Sequence, residues 1–264
     1  MDLGLKDKVA LVTGSTAGIG FAIAQALAAE GAIVTVNGRT QARVDAALAA
    51  IRAAHPEARV QGVAADLSTA EGTATLLGAL PRVDVLVNNL GIFEPKPFLE
   101  IPDEDWRRFF EVNVLSGVRL SRAYLPAMLA ARWGRIVFIS SESGVQIPAE
   151  MIHYGMTKTA QIAVARGIAE SVAGSGVTVN SILPGPTASE GVGTFVAELA
   201  SAQGKDVATV EREFFRDMRP SSLIRRFATS EEVASLVTWV CGAPASATTG
   251  AALRVDGGVV RAIP

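Results

Sequence analysis

Tyr154-Gly155-Met156-Thr157-Lys158 sets a phenol and an ammonium four residues apart, which on a helix puts both on one face. A free phenol titrates at about 10 and exchanges protons poorly at neutral pH. A neighbouring cation stabilises the phenolate and brings its pKa toward the working range, so the two can serve as an acid/base pair. Spacing of this kind also arises by chance on exposed helices, so the pair needs companions. Ser140 and Ser141 close an apolar run shortly upstream. One of these hydroxyls can hold a carbonyl oxygen against Tyr154; the alternative is a serine that only caps a strand end.

A second chemistry sits near the start of the chain. Thr13-Gly14-Ser15-Thr16-Ala17-Gly18-Ile19-Gly20 follows a β-branched run and leads into a helical segment. Glycines let the backbone turn sharply and approach a pyrophosphate, while the free N–H groups and positive dipole end of the helix face its charge. The spacing is Gly-x-x-x-Gly-x-Gly, and its place directly after the first strand is what points to a dinucleotide. The second strand ends in Asn37-Gly38-Arg39-Thr40. An acidic residue there would hold ribose hydroxyls and favour NAD; Gly38 stands in its place. Arg39, with Thr40, can pair with a 2′-phosphate and favour NADP, the alternative being a solvated loop arginine. Asp66 and Leu67 follow the third strand. Two readings are open for Asp66, contact with the adenine amino group, which is preferred, or a cap on the next helix.

These groups need elements to position them. Strand-like runs at 9–13, 33–37, 59–64, 83–88, 135–140, 177–183 and 252–255 alternate with helical stretches such as 19–30, 41–54, 105–131 and 154–173, some ended by Gly31, Gly134 and Gly176. That alternation predicts a doubly wound α/β sheet with right-handed helical crossovers. Continuously apolar strands are what a parallel sheet covered on both faces requires. Residues 188–226 break the rhythm with Gly191, Gly193, Gly204 and Pro220 around a helical piece at 211–218, which suggests a mobile substrate lid. No repeat, low-complexity tract or linker divides the 264 residues, so one continuous domain, 1–264, is expected.

Composition removes several function classes. A formal net charge of -2 gives no general attraction to nucleic acid. Cys241 is the only cysteine, so no internal disulfide or thiol redox pair can form, and a reducing, cytoplasmic setting fits. Met1 to Lys8 carries Asp2, Lys6, Asp7 and Lys8 and leaves no room for a signal peptide. Ala and Val are spread along the chain, and no uninterrupted apolar stretch reaches membrane-spanning length. Two histidines and scattered carboxylates offer no metal-ligand set, so a metal-free mechanism is expected.

Taken in order, Thr13-Gly14-x-x-x-Gly18-Ile19-Gly20, Asn88-Asn89-Leu90-Gly91, Asn113, Ser141, Tyr154-x-x-x-Lys158, Pro184-Gly185 and Asp256-Gly257-Gly258 resemble the short-chain dehydrogenase/reductase family over nearly the whole chain. Within it, the chain resembles 3-oxoacyl-acyl-carrier-protein reductases. The resemblance implies a Rossmann-type doubly wound domain with a seven-stranded parallel sheet and helices on both faces. It also implies an oxidoreductase moving a hydride between NADP(H), preferred over NAD(H), and a small carbonyl or alcohol substrate. Tyr154 would be the general acid/base, Lys158 would lower its pKa and bind the nicotinamide ribose, Ser141 rather than Ser140 would polarise the substrate, and Asn113 would anchor a proton-relay water.

The cofactor contacts so implied are Gly14, Ser15, Thr16, Gly18, Ile19, Gly20, Arg39, Thr40, Asp66, Leu67, Asn89, Gly91, Tyr154, Lys158, Pro184, Gly185 and Thr187, with residues 184–189 closing over the nicotinamide. Two positions depart from the family pattern: Leu90 where alanine is usual, and Ser189 where threonine is usual, with Thr187 nearby. Arg132 matches a carrier-protein docking arginine, but Ser175 stands where a second basic residue would be, which argues against a carrier-bound substrate. Residues 142–153, 92–99 and 188–226 should line the pocket, with Phe93, Phe98, Ile147, Met151 and Phe195 making it moderately apolar. His153 is read as a pocket-wall or interface residue and Glu142 as a surface carboxylate at a loop, the alternative being selection of a polar substrate group; neither is given a catalytic role. The family's usual assembly is a homotetramer packed through the helices at 105–131 and 154–173, with a dimer the alternative. A catalytically silent NADP-binding regulator is the rival function, against which the intact Asn113, Ser141, Tyr154 and Lys158 set argues. A methyltransferase of related fold would need the glycine turn but not the Tyr/Lys pair.

Overall fold

Short runs of Val, Ile and Leu pair side by side as parallel strands, and each helix between them carries the chain back to the edge where it began. The computed structural model describes residues 1–263, with the side chains at 190, 191, 194, 195, 198 and 199 outside that description. Along the chain come β1 (Val9–Val12), α1 (Gly18–Ala29), β2 (Ile33–Gly38), α2 (Gln41–Ala54), β3 (Arg59–Ala64), α3 (Ala70–Ala79), β4 (Val85–Asn88), α4 (Asp103–Phe110) and α5 (Ser116–Ala131). Then follow β5 (Gly134–Ile139), α6 (Ile152–Ser171), β6 (Val177–Pro184), β7 (Thr187–Ala188), α7 (Glu190–Gln203), α8 (Val207–Asp217), β8 (Ala228–Thr229), α9 (Ser230–Cys241) and β9 (Ala252–Val255).

The seven-stranded sheet has the order β3-β2-β1-β4-β5-β6-β9, and every neighbouring pair is parallel. The chain builds outward from β1 to β3, then crosses to β4 on the other side of β1. That reversal opens a crevice at the carboxyl ends of β1 and β4. Alternate strand residues feed two apolar layers, as a period of two demands. Ala10, Val12, Val85, Val87, Val137 and Ile139 face α1, α2 and α9. Leu11, Leu86, Ile136 and Phe138 face α3, α5 and α6. Where both faces are covered, as at β1, β4 and β5, the strands carry no polar alternation, whereas the edge strand β3 exposes Arg59 and Gln61 on either side of buried Val60.

Three features refine the expected elements. The long helix expected at 105–131 is two helices joined by a π turn at Glu111–Leu115, one residue more per turn than an α-helix, with Asn113 at its centre. Its far end is set by Arg132 in the left-handed region (φ 52°), not by Gly134, which instead opens β5 where a Cβ would press on Met128 at 2.7 Å. Within the 188–226 insertion, α7 and α8 are clamped at their base by a separate two-stranded pair, β7 with β8, that the sequence pattern did not announce.

Candidate active site

Three elements bring the proton-handling groups together. β5 ends just before Ser140 and Ser141, the first turns of α6 carry Tyr154 and Lys158, and the π turn presents Asn113 to α6. The two serines separate cleanly. Ser140 Oγ donates to the Lys158 carbonyl at 2.8 Å and is committed to the backbone. Ser141 Oγ accepts from Ser143 N–H at 3.1 Å, lies 2.5 Å from Glu142 Oε2, and lines the same cavity as Tyr154. Lys158 is buried. Its Nζ donates to the Ile139 carbonyl at 2.9 Å and to Gln161 Oε1 at 3.1 Å, and it lies 5.5 Å from the centre of the Tyr154 ring.

Asn113 is fully buried and works through its side chain as well as its backbone. The amide donates to Thr157 Oγ1 at 2.9 Å and to the Ile92 carbonyl at 3.0 Å, and Oδ1 accepts from Ile92 N–H at 2.8 Å. The Asn113 carbonyl, the expected anchor for a relay water, accepts from Gln161 Nε2 at 2.6 Å. Gln161 thus bridges Lys158 to the π turn. Sequence reading passed over it, although Tyr154, Lys158 and Gln161 fall at i, i+4 and i+7 on one helix face.

The electrostatics differ from the simple expectation. Burial pushes the Tyr154 phenol above its ordinary value and the Glu142 carboxylate adds to this, while the hydrogen bond to Ser141 and the Arg219 guanidinium pull the other way. Burial draws Lys158 down from 10.5 to about 7. The protein side chains alone therefore do not acidify the phenol, and the cation expected to do so is weakened by the same desolvation.

The glycine turn is built to receive an anion. Gly14 (φ 59°) and Gly18 (φ 55°) adopt left-handed backbone, and a Cβ at Gly20 would lie 2.5 Å from the Gly14 carbonyl oxygen. Ala17 at the start of α1 supplies no side-chain cap, so the first N–H groups are left to a ligand. Ser15 N–H donates to the Asn37 carbonyl at 2.9 Å, and Ser15 Oγ donates to the Val12 carbonyl at 2.6 Å. Both groups act within the turn. Asn37, not singled out from sequence, accepts from Gly14 N–H at 3.2 Å and so fastens the turn to β2. Asn89 fastens it to β4 by donating to the Thr13 and Gly14 carbonyls at 2.9 and 3.0 Å.

Gly38 is required by the same turn, since a Cβ there would sit 2.4 Å from Thr16 Cγ2. Arg39 and Thr40 are exposed beside it. Asp66 is exposed and its Oδ1 accepts from Ser68 N–H at 3.0 Å, while Thr69, not Asp66, caps α3. Leu67 belongs by its side chain to the core. Gly91, Pro184, Gly185, Thr187 and Ser189 line the same cavity as Tyr154. Thr187 Oγ1 donates to the Gly185 carbonyl at 2.9 Å, and Ser189 caps α7. Asp256 and Gly257 brace this wall: the Asp256 backbone packs on Gly185, and the Gly257 carbonyl accepts from the N–H groups of Leu223 and Ile224 at 2.8 and 3.2 Å.

The cavity, about 460 Å³, has the expected Phe93 and Met151 on its walls together with Phe214, Met218 and Phe227. Phe98 and Ile147 do not line it and are exposed, and the Phe195 side chain lies outside the described residues. His153 points away, packed 4.1 Å from the Phe109 ring, with no hydrogen-bond partner for either nitrogen among the described residues. Among the described residues no cluster of three His, Cys, Asp or Glu side chains is placed to hold a metal, and no helix is long and apolar enough to cross a membrane.

A parallel sheet with a glycine-lined helix start at its switch point, and a Ser/Tyr/Lys group on the same edge, defines the dinucleotide-binding class of α/β proteins. The comparisons narrow this. The family model described as short chain dehydrogenase matches residues 8–200. An uncharacterised oxidoreductase of Bacillus subtilis, YvaG, is 48% identical over 263 residues, covering 100% of both chains. The 3-oxoacyl-[acyl-carrier-protein] reductase FabG of Aquifex aeolicus is 32% identical, covering 98% of this chain and 100% of that one. The L-sorbose reductase of Gluconobacter frateurii, solved with NADPH and L-sorbose, superposes with a TM-score of 0.94 at 31% identity, covering 100% of both. The chain belongs to the short-chain dehydrogenase family of oxidoreductases.

Proposed function

We propose that this protein is an NADPH-dependent carbonyl reductase, acting on a ketone or 3-oxoacyl group with Tyr154 as general acid. The observation that carries the reading is the meeting of Ser141, Tyr154 and Lys158 in one cavity, whose lining also includes Gly91, beside Lys158, and Pro184 to Thr187. NADPH, when bound, supplies the hydride for the carbonyl carbon. The first N–H groups of α1, with Thr16 and Ile19, hold its pyrophosphate, and Gly91, Pro184, Gly185 and Thr187 enclose its nicotinamide end. Ser141 donates to the substrate oxygen and orients it, and Tyr154 gives that oxygen its proton. Lys158 holds the ribose and, in its protonated form, restores the charge balance around the phenolate left behind. Gln161, itself held by the Asn113 carbonyl, keeps Lys158 in place.

Preference for NADP(H) over NAD(H) rests on Arg39 being exposed beside Gly38, which stands where a carboxylate would hold ribose hydroxyls and where a side chain would crowd Thr16. The NADPH carried by the L-sorbose reductase structure is in keeping with this. We further propose that α7 and α8 form a substrate lid on a single domain, and that the protein works as a homotetramer packed through α4, α5 and α6. The lone, buried Cys241 fits a cytoplasmic setting.

The test is NADPH and NADH oxidation, measured in parallel, against 3-oxoacyl thioesters, cyclic ketones, diketones and sugar ketones. Turnover with NADPH favoured supports the reading. NADH preference overturns the cofactor assignment, and silence throughout, despite measurable nucleotide binding, overturns the reductase.

A further inference from the structure

Glu142 is 5% exposed and faces the cavity next to Ser141, although a carboxylate there opposes the negative charge that develops on a reduced carbonyl oxygen. Its placement needs a reason. One oxygen, Oε2, is 2.5 Å from Ser141 Oγ. The other, Oε1, faces Arg219 Nε at 3.4 Å, and Arg219 Nη1 reaches Glu150 Oε1 at 3.1 Å. Arg219 follows α8, so the lid segment supplies the cation that holds Glu142 in place.

We propose that Ser141 and Glu142 together read two oxygens on adjacent carbons, so that the substrate is a neutral ketone with a hydroxyl group beside the carbonyl and an otherwise apolar body. This rests on the reductase reading above. When Ser141 turns its O–H to the substrate carbonyl, Glu142 Oε2 loses a hydrogen-bond donor in a buried place, a loss that the substrate itself must make good. A hydroxyl on the neighbouring carbon does so. The two oxygens of such a hydroxyketone lie about one hydrogen-bond length apart, which matches the 2.5 Å between Ser141 Oγ and Glu142 Oε2. A plain ketone leaves Glu142 Oε2 without a donor, Oε1 keeping Arg219. Two carboxylates against one guanidinium leave this end of the cavity with a net negative charge, so a substrate carboxylate or phosphate is repelled. Phe93, Met151, Phe214 and Phe227 fill the remaining wall and suit a hydrocarbon remainder, not a polyol.

The test compares kcat/KM for 1-hydroxy-1-phenylpropan-2-one, phenylacetone and phenylpyruvate, which differ only in what stands beside the ketone or how it is charged. We expect the wild-type enzyme to favour the hydroxyketone over phenylacetone by roughly 100-fold or more and to use phenylpyruvate least. In Glu142→Leu that ratio falls to within roughly tenfold, because activity on the hydroxyketone drops while activity on phenylacetone rises. Glu142→Gln, which keeps an acceptor, retains part of the preference. Arg219→Met, which frees Glu142 to move, lowers it. NADPH binding by each variant, followed by fluorescence, establishes that the fold is intact. Equal use of hydroxyketone and phenylacetone by the wild type, or an unchanged ratio in Glu142→Leu, overturns the proposal and leaves the reductase standing. No NADPH oxidation with any of the three, nor with the broader carbonyl panel, removes both.

Discussion

β5 has a buried cation at each end, and the two are treated differently. At its start, Arg135 is 2% exposed and donates to three backbone carbonyls, Gly134 at 2.8 Å, Gly176 at 3.3 Å and Gly242 at 3.4 Å, with its guanidinium 4.5 Å from the Trp133 ring centre. Gly242 closes α9, so the cation also meets the negative end of a helix. At the finish, Lys158 Nζ has one carbonyl and one amide oxygen, and burial has brought it to about 7. A guanidinium stays charged under any physiological condition, whereas an ammonium can be poised. The amino end of the parallel sheet therefore uses its cation to hold three loops together, and the carboxyl end keeps one that can change state.

If that contrast is right, damage at the carboxyl end should appear in turnover and damage at the amino end in stability. The largest expected effect is from Tyr154→Phe, which removes the proton donor: kcat should fall by roughly 10²- to 10⁴-fold while NADPH affinity, read by fluorescence titration, stays within a few-fold. Unchanged turnover would sink the assigned role. Next is Arg135→Met, which strands buried carbonyls and should lower unfolding free energy by about 3 kcal/mol in urea, with kcat of the folded enzyme unaffected.

Lys158→Met should move the other way in stability while abolishing turnover. Because the folded value of about 7 lies below the ordinary 10.5, the unfolded chain holds one more proton between those values, and wild-type stability rises with pH across that window. The penalty is fully present below pH 7. The variant should thus be more stable than wild type by about 2 kcal/mol near neutral pH, with the gap closing toward pH 10.5 in urea melts. A gap that widens with pH would contradict the burial argument. The smallest expected effect is Arg39→Ala, which should raise KM for NADPH about tenfold and leave that for NADH nearly unchanged, as steady-state kinetics would show.

The central strands were legible because they are covered on both faces, so their apolar runs stand out against the helices. The glycine turn and the Tyr154/Lys158 pair were legible because both lie in contiguous segments. What was hidden depends on residues far apart in the chain. Nothing in residues 105–131 marks one extra residue in a helical turn, since a single added residue leaves the apolar pattern on either side intact. The sequence shows glycine where an acid could stand at position 38 but not what crowds that position, which is Thr16 from another segment. Glu142 looked like a surface carboxylate until Arg219, 77 positions away, was found against it. The expected acidification of Tyr154 was misjudged because pattern reading counts charges without counting the water removed from them.

The π turn at Glu111–Leu115 also sets a rule for how this chain can vary. One residue is worth roughly 100° of helix rotation, so α4 and α5 stand in different helical phases. In the first phase Phe109 meets His153; in the second Leu120, Tyr124 and Met128 meet the sheet. A single-residue deletion anywhere in the turn would merge the phases, and one of those two sets of contacts would face solvent. For this segment the deletion is equivalent to a frameshift in packing: substitutions on either side can be absorbed one at a time, but a change in length can be tolerated only with a second, compensating change in length nearby.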